Sequence, residues 1–312
     1  MAASATITFI LNHRAGTGRA LELQATIEKL AQGTGLAAHI LMAKEGADLA
    51  ELARKAVRDG ARSVIAGGGD GTVSAIAGAL VGSEVSLGVL PLGTLNHFAK
   101  DMGLPLGEED AVRAALAAHL ASVDVGEVNG RIFLNNSSIG LYPRIVRFRD
   151  AERRKGRNKW LAFLHAIFSI LRRHGLFHVE LQIDDIQSVS RRTAFVFMGN
   201  NEYEKTGLNI GARLRLDGGS LWLCLPRRGG RADLLRLAVL ALLGRLQDRD
   251  LQCLTAAAVA IKTHKKQLDV ALDGEVFRMT VPLAYRIRRR ALKVIVPAAA
   301  DGAKEKASPK RG

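Results

Sequence analysis

From Thr6 to about Gly126, short apolar runs rich in β-branched residues alternate with Ala-rich stretches of helical period. "TITFIL" precedes "GRALELQATIEKLAQG", "AAHILMA" precedes "ADLAELARKAVRDGA", and "SVIAG" precedes "TVSAIAGALVG". A fourth run, "LGVLPLG", is followed by a loop and then "GEEDAVRAALAAHL". Repeated strand-then-helix units predict a parallel sheet covered by helices. After "SVDVGEVNGRIFLNNSSIG" the character changes to strands: "HVELQID", "RRTAFVFMGN", "GSLWLCLP" and "QLDVALDGEVF". Helical segments are expected at "WLAFLHAIFSILRRHG" and "RADLLRLAVLALLGRL", and "YRIRRRALKVIVP" reads as a closing pair of strands. The expected organisation is an α/β domain over residues 1–125 and a β-rich domain over 126–297, with the strand near 285–297 able to return to the first domain. Residues 298–312 form a polar, small-residued tail expected to be disordered.

The run "GGGDGT" follows an apolar strand and precedes a helix, which puts it at the carboxyl edge of a parallel strand, where open α/β sheets bind ligands. Glycines there accept positive φ and admit close backbone approach, and the N–H groups of such a turn and of the next helix attract phosphate. Thr72 suits a helix cap that also donates to phosphate. Asp70 repels phosphate unless a cation such as Mg²⁺ intervenes. The plain alternative is a tight turn with a solvated Asp. Two further loops end strands in the same way: "PLGTLNHFA", with Gly93, Thr94 and Asn96, and "NHRAGTGRA", with Asn12, Gly16 and Gly18. Together they point to one nucleotide-binding cleft.

The 312 residues carry a formal charge of +15, which favours an anionic partner. Only 5% of residues are aromatic and no RRM, KH or helix-turn-helix signature occurs, so nucleic acid is not the expected partner. Cys224 and Cys253 lie far apart without a CxxC motif, which suggests neither a zinc site nor a disulfide and fits a reducing cytosol. No apolar run reaches the ~20 residues that span a bilayer, and the N-terminus reads as a strand. "RFRDAERRKGRNK", seven basic residues against two acidic, stands directly before an apolar segment with Trp160 and Phe163 and suits an anionic membrane surface or a solvated helix flank.

"NHRAG", "GGGDGT", "PLGTLNHFA" and a late "LDGE", in this order, resemble the diacylglycerol kinase catalytic-domain family, which includes sphingosine kinases and bacterial lipid kinases and is distantly related to NAD kinases. The similarity runs from about residue 6 to residue 297. It implies an N-terminal α/β domain of phosphofructokinase and NAD-kinase type, a C-terminal β-sandwich, and a nucleotide cleft between them. It further implies ATP contacts from Asn12, His13, Arg14, Ala15 and Gly16, from Gly68, Gly69, Asp70, Gly71, Thr72, Val73, Ser74 and Ala75, and from Gly93, Thr94 and Asn96. Asp70 becomes the acid linked to MgATP, and Glu275 the general base that takes a proton from a lipid hydroxyl. Asp273 and Glu275 are read as neighbours on one face of a strand, with Gly274 admitting a turn or close approach; a hairpin turn with a solvated Glu is the plain alternative.

The chain departs from the family pattern at His13, at His97, where Asp is usual, at Ala43, and at Gly218, which leaves Asp217 as a lone acid of a structural Mg²⁺ site. The expected activity is ATP-dependent phosphoryl transfer to diacylglycerol, a related glycerolipid or a sphingoid base, at the inner face of the cytoplasmic membrane. Phosphorylation of a soluble acceptor and nucleotide binding without turnover are the alternatives, and a homodimer is a candidate assembly.

Overall fold

The strand-helix alternation is realised in the computed structural model of the protein, which describes residues 6–13, 20–34, 36–43, 46–117, 119–141, 143, 176–203, 213, 215–227, 233, 236–237, 240 and 250–297. The elements run β1 (Thr6–Asn12), α1 (Ala20–Gln32), β2 (Ala37–Ala43), α2 (Gly46–Arg58), β3 (Ser63–Gly68), α3 (Asp70–Leu80), β4 (Ser86–Pro91), α4 (His97–Asp101) and α5 (Glu108–Leu116). They continue as β5 (His119–Val128), β6 (Arg131–Phe133), β7 (Asn136–Gly140), β8 (Phe177–Ile183), β9 (Gln187–Thr193), β10 (Phe195–Asn200) and β11 (Leu221–Pro226). The last are β12 (Leu251–Ala256), β13 (Ala258–Lys262), β14 (Gln267–Leu272), β15 (Glu275–Thr280) and β16 (Leu283–Val296). Two units result: Met1–Ala121 with Lys293–Gly312, and Ser122–Leu292.

In the first unit the strand order is β2-β1-β3-β4, all parallel, with Val294 of β16 paired parallel to Leu87 of β4. Every residue of β3 and β4 is buried, as expected of strands covered on both faces. Phe9, Leu11, Ile27, Ile65, Leu90 and Val112 join one apolar core across sheet and helices. Because β2 lies on one side of β1 and β3 on the other, the chain reverses direction at the β1–β3 boundary. That switch point is where open α/β sheets leave a crevice beyond their carboxyl ends.

In the second unit an antiparallel sheet, β12-β11-β10-β7-β14-β15, packs against strands β13, β8, β9 and residues Leu283–Leu292 of β16. Alternation decides which side chains meet. Val179 and Leu181 of β8, Val259 and Ile261 of β13, and Leu283 and Tyr285 of β16 share a core with Ile139, Val196, Leu223 and Val270 of the facing sheet. Within this core the Tyr285 hydroxyl lies 2.9 Å from Ser137 Oγ, and burial holds the phenol well above its usual pKa.

Two expectations are corrected here. The closing segment is one 14-residue strand, β16, rather than a pair. Its direction changes through Arg290 at φ 48°, whose N–H is held by the buried carboxylate of Asp124 at 2.7 Å, so an αL residue does what a turn was expected to do. The two cysteines are a disulfide, because β11 and β12 pair antiparallel in a register that sets Cys224 directly opposite Cys253. The segments expected to be helical at 160–175 and 231–246, the basic run before the first of them and the tail from 298 onward lie largely or wholly outside the described residues. No helix among the described residues is long and apolar enough to cross a membrane.

The disulfide closes a loop with a sequence separation of 29 residues, so replacing Cys224 and Cys253 together by Ser is expected to cost about 3 kcal/mol of unfolding free energy. Denaturant unfolding of the oxidised protein against the double variant checks this; equal midpoints would contradict it.

Candidate functional site

The glycine run is not a loose turn. Gly67 and Gly68 complete β3, Gly69 is the N-cap of α3 with φ −88°, and Asp70 and Gly71 open the helix. The expected positive φ is absent from Gly67–Gly71; what the sequence provides is room. A Cβ on Gly93 would lie 2.5 Å from Gly69 Cα, and one on Gly68 would collide with Thr72. The loops after β3 and β4 therefore touch backbone to backbone, and the Leu92 N–H donates to the Gly68 carbonyl at 3.0 Å.

The start of α3 has no side-chain cap. Its first N–H groups have no acceptor within the helix, and Val73 N–H is the one that returns to Gly69 O, at 3.1 Å. Thr72 is buried and sits inside the first turn, so it does not cap, contrary to the sequence expectation. Its Oγ1 instead accepts from Asn12 Nδ2 at 3.0 Å, which ties the end of β1 to the start of α3 at the switch point. Asp70 Oδ1 accepts the Phe98 N–H of α4 at 3.2 Å, a negative charge placed at two helix N-termini.

Asn96 adopts φ 50° and turns its amide inward. Its Nδ2 donates to Pro91 O at 3.1 Å and Gly93 O at 2.9 Å, and its Oδ1 accepts from Gly93 N–H at 3.0 Å. It thus builds the loop. Thr94, His97 and His13 are exposed beside these loops, and Ser74 and Ala75 are half-buried in α3. Arg14, Ala15 and Gly16 lie outside the described residues. Ala43 is buried at the end of β2 and offers no polar group.

Asp273 and Glu275 do not share a strand face, which corrects the sequence reading. Asp273 (φ 47°) and Gly274 (φ 87°) are the two turn residues of the β14–β15 hairpin, which needs positive φ at both positions. Glu275 is the exposed first residue of β15, opposite Leu272. The turn is pinned by charge-assisted bonds, as the Asp273 carboxylate accepts the N–H groups of Leu134, Asn135 and Asn136 at 2.7, 2.8 and 3.0 Å. Arg213, buried, donates to Leu134 O and Asn135 Oδ1, while Tyr203 Oη donates to Asn135 O. Sequence reasoning missed this bracket, although Asp124, an acid amid valines in "SVDVGEV", was a visible sign of buried polar structure.

Asp217 pairs with Arg215 at 3.0 Å, and that guanidinium holds its carboxyl below the usual range. At Gly218 a Cβ would lie 2.9 Å from Asn201 Oδ1, so no acid side chain fits there without a shift. No group of three or more His, Cys, Asp or Glu side chains that could hold a metal occurs among the described residues. The uncapped α3 terminus and its glycine cradle fit a phosphate chain. For Mg²⁺ the loops offer Asp70.

A parallel α/β unit with a glycine-lined crevice at its switch point, followed by a β-sandwich, defines a two-domain protein of kinase-like architecture. Residues 6–128 match the diacylglycerol kinase catalytic domain, and residues 139–296 match the YegS C-terminal NAD kinase beta sandwich-like domain. The chain belongs to the diacylglycerol kinase catalytic-domain family, in its YegS-type form. It is 36% identical over 122 residues to a protein of Escherichia fergusonii named "Probable lipid kinase YegS", a match covering 38% of this chain and 41% of that one. The match therefore spans about two fifths of the length of the curated relative. A diacylglycerol kinase from Bacillus anthracis str. Sterne shares the fold with TM-score 0.68 and 21% identity, over 96% of this chain and 99% of that one. An NAD kinase from Archaeoglobus fulgidus, solved in complex with ATP, shares it with TM-score 0.54 and 9% identity, over 93% and 94% of the two chains.

Gly93→Ala is expected to push the two loops apart and to cost about 1–3 kcal/mol of unfolding free energy, because the added Cβ meets the Gly69 backbone. Denaturant unfolding checks this; an unchanged midpoint would contradict the backbone contact.

Proposed function

We infer that the protein is an ATP-dependent lipid kinase that transfers the γ-phosphoryl group to a lipid hydroxyl. The observation that carries the reading is the uncapped N-terminus of α3, held open by the Gly69–Gly93 contact at the switch point of a parallel sheet. Such a terminus offers N–H donors and a positive dipole end to a polyphosphate. Family membership and the names of the relatives supply the lipid acceptor, with diacylglycerol or a related glycerolipid or sphingoid base as its class.

Phosphoryl transfer demands positioning and neutralisation of charge rather than covalent chemistry by the protein. Asn12 and Thr72 fix the loops after β1 and β3 against each other, and Asn96 fixes the loop after β4. Asp70 would hold Mg²⁺ brought with the nucleotide, and the ion would neutralise the phosphate oxygens. Glu275 is assigned the proton of the attacking hydroxyl. Its hairpin suits that role because Asp273 spends its own charge on three backbone N–H groups and stiffens the turn that carries Glu275.

The test is a radiolabelled-ATP assay over diacylglycerol, monoacylglycerol, phosphatidylglycerol, sphingosine and water-soluble acceptors, with wild type, Asp70→Asn and Glu275→Gln. Wild type should phosphorylate a lipid. Glu275→Gln should lose about 10²–10⁴-fold in kcat, the usual contribution of a general base, with KM for ATP retained. Asp70→Asn should lose activity and Mg²⁺ dependence together. Wild-type rates in both variants, or transfer to a soluble acceptor alone, would overturn the reading.

A further inference from the structure

Strands β8, β9, β13 and β16 of the second unit turn one face to the core and leave the other to solvent. On the solvent face Arg192 of β9 stands directly opposite His178 of β8, and Lys262 of β13 opposite Glu180 of β8. The turn after β13, Thr263–Lys266, is tied to the start of β8, since the His264 ring stacks on His178 with centroids 5.4 Å apart. His178 Nε2 in turn lies 2.9 Å from Ser190 Oγ of β9. Arg192, Lys262, His264, Lys265 and Lys266 are all exposed, so one end of this face gathers a dense set of basic groups with Glu180 as their acidic neighbour.

Pairing separates these cations from many others on the surface. Arg54 and Arg58 pair with Glu51, Lys55 with Asp59, Arg113 with Glu109, and Arg286 with Glu127. Among the described residues no such carboxylate partner is found for Arg192, Lys262, Lys265 or Lys266. Clustered like charges with Glu180 as their neighbouring acid still carry a net positive charge and repel one another, and an anionic partner relieves that cost.

Around the cations the face carries Ser188, Ser190, Gln182, Ala260 and Ala284, small or neutral side chains. Cations spread over an exposed strand face suit an extended anionic partner better than a small anion, which needs enclosure. The two rings present are imidazoles stacked on each other, whereas single-stranded nucleic acid is usually held by rings free to stack on bases.

We propose that this end of the β8–β9–β13 face, with Arg192, Lys262, Lys265 and Lys266, is the surface by which the protein docks on an anionic lipid bilayer. The choice of a bilayer as the partner rests on the lipid-kinase reading; the exposed basic cluster does not. Each Lys or Arg at an anionic membrane contributes about fivefold to partitioning, and salt weakens the attraction beyond a Debye length.

The experiment is co-sedimentation of the full chain with phosphatidylcholine vesicles, with and without phosphatidylglycerol, for wild type and Lys262→Ala/Lys265→Ala/Lys266→Ala. Wild type should bind the anionic vesicles and release with added salt, and the triple variant should bind about a hundredfold more weakly or less. Arg192→Ala should give a smaller loss in the same direction. The variants should keep the wild-type thermal midpoint, and their rate on a short-chain, monomerically dispersed acceptor should match wild type. Equal partitioning of wild type and triple variant, binding without preference for phosphatidylglycerol, or capture of single-stranded DNA in place of vesicles would each overturn the proposal. If vesicle binding follows the lysines while no lipid is phosphorylated, the docking surface stands and the lipid-kinase reading falls.

Discussion

The carboxyl edge of the parallel sheet in the first unit depends on two glycines, Gly93, where a Cβ would clash, and Gly69, where it would be tight. Gly69 and Gly93 meet backbone to backbone, and this lets the loops after β3 and β4 lie side by side. The Leu92-to-Gly68 hydrogen bond and the Asn96 amide then fix the second loop against the first. With both loops held down, the start of α3 is left open, and its N–H groups face whatever enters the crevice at the β1–β3 switch point. Asp70 closes the arrangement by accepting from the start of α4. An acid that would repel phosphate is thereby also part of the scaffold that presents the phosphate site.

The second unit uses the same economy at its own candidate group. Glu275 is exposed, yet the hairpin beneath it is among the most strongly tied turns in the chain, because one carboxylate takes three adjacent N–H groups. Two of those three residues are in turn gripped from the carbonyl side, Leu134 by Arg213 and Asn200 and Asn135 by Tyr203. A side chain on a stiff hairpin keeps its aim without being buried, which is what the role proposed for Glu275 requires.

Much of this was legible in the sequence. The βα alternation gave the parallel sheet because period and residue type agree locally, and the glycine loops stood out because they follow apolar strands directly. What escaped was whatever depends on which strands become neighbours. Thr72 was read as a cap, but strand order puts Asn12 of β1 beside it and claims its hydroxyl. For "LDGE" the sequence allows both a strand with Asp273 and Glu275 on one face and a hairpin turn with a solvated Glu, and it is the turn, with Asp273 and Gly274 at positive φ, that forms. The disulfide was invisible for a similar reason: only the β11–β12 register brings Cys224 opposite Cys253. The single long β16 escaped because its bend lies in an arginine, with no Gly or Asn to announce it.

The account stands or falls on the α3 terminus as the phosphate site, and backbone hydrogen exchange reads that terminus directly. With MgATP at about a hundredfold over its Kd, exchange at Asp70, Gly71 and Thr72 should slow by about a hundredfold, together with Gly93. If MgATP binds and slows exchange elsewhere while these amides exchange as in the free protein, the phosphates lie in another place and the central claim is wrong.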